Sequence, residues 1–204
     1  MDLRGAVALV TGGNGGLGQR ICHALAKEGA HIAVMYARSR DQAEGVAREL
    51  ASRYQVNAEA FACDITDGAA VEALITQVAG RFGRLDILVN DAAYNKSISF
   101  ADLDNLTLEV WDKIMAVNLT GPMRLIKAVA LAPETLVNCV APGLLEGTRT
   151  TSNLRPEQIE RSAAASLLKR AADKDDCAEM VVAMCRSETM TGQTVVIDSG
   201  RIFH

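Results

Sequence analysis

The stretch Ala6-Val7-Ala8-Leu9-Val10-Thr11-Gly12-Gly13-Asn14-Gly15-Gly16-Leu17-Gly18 decides how the rest of the chain is read. Its unbroken apolar run predicts a strand buried on both faces, the kind that parallel sheets contain. Glycines follow at once, and Leu17, Ile21 and Leu25 then recur every fourth residue, as one face of a helix requires. Gly29 stops that helix. A glycine-rich turn between a strand end and a helix start lets backbone approach a pyrophosphate, and the free N–H groups of the helix start attract its charge. The pattern alone also suits a plain tight turn; its place in a first strand–helix unit favours the phosphate cradle.

Beyond this unit the alternation continues. Strands are expected at His31 to Met35, Asn57 to Ala62, Leu85 to Val89, Thr135 to Val140 and Thr194 to Ile197. Between them lie a helix from about Asp41 to Tyr54, a helix with the stripe Val71, Leu74, Ile75 and Val78, and one carrying Val110, Ile114 and Val117 toward Val129. Asp64 and Thr66 are candidate caps for the second of these, and Pro133 ends the third at the latest. Two further helices are expected near Pro156 to Ala171 and Asp173 to Arg186. Strands alternating with helices predict an α/β fold with a parallel sheet, right-handed crossovers, and a ligand crevice beyond the carboxyl ends of the strands.

The 204 residues fit one domain, residues 1–204, with 49% hydrophobic and 23% charged residues, which excludes a disordered or fibrous chain. A net charge of −4 without a dense Lys/Arg run speaks against nucleic acid as a partner. Five cysteines, Cys22, Cys63, Cys139, Cys177 and Cys185, form no CxxC pair, so neither disulfides nor zinc are expected, and buried thiols are. No long apolar stretch suggests a membrane span, and a cytoplasmic location is the expectation.

The spacing TGxxxGxG from Thr11 to Gly18 resembles the cofactor loop of the short-chain dehydrogenase/reductase family, in particular its 3-oxoacyl-acyl-carrier-protein reductase-like members. Further segments resemble the family in order: Asn90-Asp91-Ala92-Ala93 looks like its NNAG element, Asn118 its helix asparagine, Pro142-Gly143 its PG turn, and Thr191-Gly192-Gln193 the approach to its last strand. The resemblance implies a Rossmann-type doubly wound sheet and a dinucleotide contacted by Gly12, Asn14, Gly15, Gly16, Leu17 and Gly18 at the phosphates. It further implies Asp64 and Ile65 at adenine, Asn90 bracing the sheet, Ala92 making room for ribose, and Pro142, Gly143 and Thr148 beside the nicotinamide. Asn118 would hold a water and position a catalytic lysine. A homo-oligomer, dimer or tetramer, is implied through the helix around Asn118 and the last strand.

Which dinucleotide is expected follows from the end of the second strand. NAD sites place a carboxylate there for the ribose 2′-OH, but this chain has Tyr36-Ala37-Arg38-Ser39. Nothing repels a 2′-phosphate, Arg38 offers a fork and Ser39 a hydroxyl, so NADP(H) is favoured over NAD(H). Arg38 and Arg40 also suit simple solvated charges. A methyltransferase-like domain, which wants an acidic residue at this place, is disfavoured.

The family's chemistry needs a Tyr proton donor, a Lys four residues later that acidifies it, and a Ser that orients substrate. The tyrosines here are Tyr36, Tyr54 and Tyr94, followed four residues later by Arg40, Ala58 and Ile98. Only 25 positions separate Asn118 from Gly143, where the family interposes another strand and helix. The shortfall falls between Leu125 and Pro133: Leu125-Ile126-Lys127-Ala128 resembles the helix before the missing strand, and Ala130-Leu131-Ala132-Pro133-Glu134 the end of the helix after it. One central strand and one helix are therefore expected to be lacking, with apolar surface exposed at the gap. The expected activity is interconversion of a small-molecule carbonyl and a secondary alcohol, with the remaining catalytic residues in a segment outside this sequence; the rival is a dinucleotide-binding module without chemistry. Tyr94 and Glu146 to Leu154 flank the expected substrate cleft, or are plain surface loops.

Overall fold

The computed structural model describes residues 1–96, 98, 101–129, 135–152 and 154–202. The opening apolar run forms strand β1 (Val7–Thr11), buried at every position. It is followed by helix α1 (Gly18–Lys27), β2 (His31–Tyr36), α2 (Arg40–Tyr54), β3 (Ala58–Ala62), α3 (Gly68–Phe82) and β4 (Ile87–Asn90). These strands make one parallel sheet in the order β3-β2-β1-β4, in the register Val10↔Val34 and Val10↔Val89. The alternation of side chains divides β1 and β2 between two cores. Ala8, Val10, Ile32 and Val34 face Ile21, Leu25, Val46 and Leu50 of α1 and α2. Val7, Leu9, Ala33 and Met35 face Val71, Leu74 and Val78 of α3.

Helix α1 ends as the sequence requires. Gly29 takes φ +88° and donates to the Ala26 carbonyl while Ala30 donates to Leu25, the paired bonds of a Schellman motif. The start of α3 corrects the expected cap: Asp67, rather than Asp64 or Thr66, accepts from the Ala69 and Ala70 N–H groups. Asp64 instead accepts from the Thr66 N–H and hydroxyl, a turn closed one step earlier.

Beyond β4 come α4 (Leu108–Met115), a π-turn at Ala116–Thr120 and α5 (Gly121–Val129), where one helix carrying Val110, Ile114 and Val117 toward Val129 was expected. Pro133 and the fused stretch Ala130 to Glu134 lie outside the described residues. The following strand, β5, is Cys139–Pro142 rather than Thr135 to Val140. It pairs in parallel with β6 (Thr194–Ile197), and the two stand as a separate sheet, not hydrogen-bonded to β4. The expected break in the doubly wound sheet is thus observed. Helix α6 (Pro156–Ala165) stops short of Ala171 because the Ser166 hydroxyl donates to the Ala163 carbonyl and accepts from Arg170 N–H, replacing helical bonds. Helix α7 (Lys174–Arg186) is capped by Asp173 and packs on α1 through Ala178 and Val182.

The break has the physical result foreseen. No residue of β5 or β6 is fully buried, whereas β1 and most of β2 are. Leu108 is 80% exposed, Leu119 59% and Trp111 49%. Cys139, expected to be buried, is exposed for the same reason, while Cys22, Cys63 and Cys177 are buried.

Candidate cofactor crevice

The carboxyl ends of β1 to β5 converge on a crevice of about 540 Å³. Its walls come from the glycine loop (Gly12, Asn14, Gly15, Gly16, Leu17), from Arg38 after β2, from Asp64 and Ile65 after β3, from Asp91 and Ala92 after β4, and from Pro142, Gly143 and Thr148 after β5. Residues distant in sequence are assembled here as a parallel sheet dictates: every strand ends on the same side.

The loop is built to be bare. A Cβ on Gly18 would lie 2.3 Å from the Gly12 carbonyl oxygen, and one on Gly16 2.7 Å from that of Gly147. Gly12 takes φ +66° with Ala92 pressed against it. The Thr11 hydroxyl accepts from the Asp91 and Ala92 N–H groups at 3.0 Å each, tying β4's exit to the loop. Helix α1 has no side-chain cap and no acidic residue in its first turn. Among the described residues the Gly16 and Leu17 N–H groups have no acceptor. Unsatisfied N–H groups in a cradle no side chain can fill are what a diphosphate requires.

Asn14 is buried and its amide donates to the Arg38 carbonyl at 3.1 Å, so it braces the loop against the exit of β2. Tyr36 is buried in the first core and is not part of the crevice wall. Arg40 is committed to Glu44 at 2.7 Å, whereas Arg38 is exposed at the crevice with no ion-pair partner among the described residues. Ser39 stands at φ 62° before α2 with its hydroxyl uncommitted. The Thr66 bonds hold the Asp64 carboxyl below the usual carboxylate range. Ile65 is buried against Gly121 of α5, a core contact that leaves only part of it to the crevice.

Asn90 pairs in register with Thr11, but its side chain is exposed at the open edge and outside the crevice wall, so it braces no neighbouring strand here. Asn118, in the π-turn, spends its whole amide on the backbone of Tyr94, accepting from its N–H at 2.8 Å and donating to its carbonyl at 2.9 Å. It therefore locks the loop after β4 to the helix; π-turns recur where helices are bent for function. Gly143 is pressed onto Asp198, and its N–H donates to the Ile197 carbonyl. Thr148 and the buried Thr151 share a hydroxyl contact of 3.0 Å, and both donate to the Leu145 carbonyl. Sequence reasoning named Arg149 and Thr151 only within the stretch Glu146 to Leu154, since neither carries a motif, and gave Asp91 no role of its own. Of the stretch Glu146 to Leu154, Asn153 lies outside the described residues; Thr148 to Thr151 and Leu154 line the crevice. Tyr94 itself does not line it, its ring lying under Lys113.

A larger groove between α1, α2 and α7 is lined by Arg20, Lys27, Glu49, Arg53, Asp175 and Glu179, among others. These charges pair with one another, Arg20 with Asp175, Lys27 with Glu179 and Arg53 with Glu49, which leaves little for a ligand.

Residues 6–134 match the family model described as short chain dehydrogenase, and residues 128–201 that described as Enoyl-(Acyl carrier protein) reductase. The chain belongs to the short-chain dehydrogenase family. It is 29% identical over 241 residues to a putative ketoacyl reductase of the granaticin polyketide synthase from Streptomyces violaceoruber, covering 95% of each chain. That alignment is longer than the 204 residues here, so the relative carries residues this chain lacks. It is 40% identical over 127 residues to D-threitol dehydrogenase of Mycolicibacterium smegmatis, covering 62% of this chain and 47% of that one. Among solved structures, a short-chain dehydrogenase of Burkholderia cenocepacia in complex with NADP superposes with a TM-score of 0.86 at 25% identity, over 98% of this chain and 99% of that one.

Proposed function

We propose that residues 1–204 form a single dinucleotide-binding domain of an NADP(H)-dependent oxidoreductase that interconverts a small-molecule carbonyl and a secondary alcohol. The observation that carries this reading is the bare glycine cradle, whose Gly16 and Leu17 N–H groups have no acceptor among the described residues, set beside an exposed Arg38 without an ion-pair partner among them. The NADP complex of the Burkholderia relative and the ketoacyl reductase relative support it. In this assignment the Gly16 and Leu17 N–H groups hold the diphosphate, with Gly12, Gly15 and Gly18 leaving space for it and Asn14 fixing the loop. Arg38 and Ser39 hold the 2′-phosphate, Asp64 accepts from the adenine amine beside Ile65, and Ala92 leaves room for ribose. Pro142, Gly143 and Thr148 border the nicotinamide. NAD(H) is disfavoured because no carboxylate follows β2.

The bound dinucleotide supplies or accepts a hydride. This chain's own part is to orient it and to shed water from the crevice, with Asn118 fixing the entrance through Tyr94. A proton donor of the YxxxK kind does not occur in the sequence, so the reading places it in a strand and helix between Leu125 and Pro133 that the working protein carries. The alignment with the ketoacyl reductase, longer than this sequence, supports the presence of such a segment. The working protein is further proposed to be cytoplasmic and a homo-oligomer, dimer or tetramer, through the helix around Asn118 and β6.

The test combines intact mass with a fluorescence titration. A mass above 21.7 kDa by roughly 3–5 kDa, the size of a strand and helix, is expected for the active protein. NADPH should bind at least about tenfold tighter than NADH, and Arg38→Glu should reverse that order, since one charge-assisted contact is worth about 1.5–3 kcal/mol. NADPH-dependent carbonyl reduction completes the reading. A mass equal to the sequence, with binding but no turnover, would reduce the function to binding alone.

A further inference from the structure

We infer that Asp91 is a proton-coupled positioning residue: its carboxylate shares the α1 N-terminus with the diphosphate, so that filling the crevice draws a proton onto it. The inference rests on the crevice being a dinucleotide site. Asp91 directly follows β4, with its backbone N–H held by the Thr11 hydroxyl, which anchors its backbone at the end of the strand. Its Oδ2 lies 2.9 Å from where a Cβ on Gly18 would stand, and it lines the crevice with Gly12, Gly16 and Ala92. Among the described residues no basic side chain pairs with it, and the Gly18 N–H is the group that stabilises its charge. Burial pushes the carboxyl up to about 6.

The charges around it do not relieve this. From α1 it meets the buried Cys22 thiol, itself pushed up by burial and by Asp91. β1 contributes only Thr11. Arg38 and Asp64 stand across the crevice after β2 and β3, and Arg149 after β5, none in ion-pair contact with it. The loop after it carries Tyr94, with Lys113 over the ring. A helix N-terminus carries the equivalent of roughly half a positive charge. A carboxylate already there spends part of that field, and an arriving diphosphate brings like charge next to it. Protonation removes the repulsion and turns the carboxyl into a donor toward the phosphate oxygens. Binding then favours the neutral acid, and affinity falls by up to tenfold for each pH unit above the free carboxyl's midpoint.

The experiment measures Kd for NADPH from pH 5.5 to 8.5 with the unaltered protein and with Asp91→Asn, which keeps the shape and removes the titration. The 2′-phosphate itself titrates near pH 6, so the readout is the ratio of the two Kd values, in which that titration cancels. The ratio should rise about tenfold or more between pH 6 and 8. A ratio constant across the range overturns the inference and leaves the crevice reading intact. No binding by either protein at any pH overturns both. If Asp91→Asn does not melt cooperatively, calorimetry of the unaltered protein with ADP-ribose, which lacks the 2′-phosphate, decides: at pH 7.5 the heat in buffers of different ionisation enthalpy should report uptake approaching one proton. No uptake overturns the inference.

Discussion

Two glycines show how differently the same residue acts in this chain. A methyl group on Gly18 meets the Gly12 carbonyl at 2.3 Å, a backbone atom that cannot step aside, whereas one on Gly45 in α2 meets nothing within 4 Å. Gly18→Ala should therefore destabilise by about 2–4 kcal/mol and abolish tight NADPH binding. Gly45→Ala should stabilise by about 0.5–1 kcal/mol through helix propensity, with binding unchanged. Thermal melts and NADPH titrations of the pair check this; equal melting temperatures would show that the loop tolerates a side chain. The glycine spacing was legible in the sequence because it falls between a strand end and a helix start, where backbone crowding at a phosphate cradle demands it. Asp91 was not: its meaning comes from its burial beside Gly18 and from a neighbourhood without a paired cation.

At the scale of elements, the helical stretch after β4 meets the loop at Tyr94 through two side chains, Lys113 over the ring and Asn118 on the backbone. Asn118 makes two hydrogen bonds to the Tyr94 backbone, the side-chain bonds that tie that stretch to the π-turn among the described residues. Asn118→Ala should cost about 1–2 kcal/mol, the worth of two partly exposed bonds, and speed hydrogen exchange at the Tyr94 amide by about tenfold or more. Unchanged exchange there would mean the loop is held by packing instead. The hydrophobic stripe Val110, Ile114 and Val117 announced a helix but not its π-turn, because periodicity reports a face and is silent about a single extra residue in a turn. The shortened β5 had the same origin: residues 135–138 are apolar enough for a strand, but pairing begins at Cys139, where β6 lies alongside.

For the molecule as a whole, the decisive feature is the separation of β4 from β5. In a doubly wound sheet the strands are covered on both faces, yet here Val196 of β6 is exposed, as are Val137 just before β5, Leu119 in the π-turn and Met123 and Ile126 of α5. Such a surface exceeds scattered surface apolars and favours association. Light scattering should show concentration-dependent growth, and an apolar dye should bind; Leu108→Glu, at a position 80% exposed, should reduce association with less than about 0.5 kcal/mol change in stability. A protein that stays monodisperse at high concentration without binding dye would mean that this surface is covered.

The sequence by itself determined the alternation of strands and helices, the glycine cradle, the absence of an acidic residue after β2 and the shortfall between Asn118 and Gly143. Each is a matter of residue type and spacing along one segment. Only the tertiary structure decided that Asn14 and Asn118 act on backbone, that Arg40 is consumed by Glu44 while Arg38 is not, that Asn90 faces an open edge, and that Asp91 sits half-buried at the α1 N-terminus. Those are properties of pairs of groups distant in the chain. Their distances, burial and charge exist only once the sheet has brought the strand ends together.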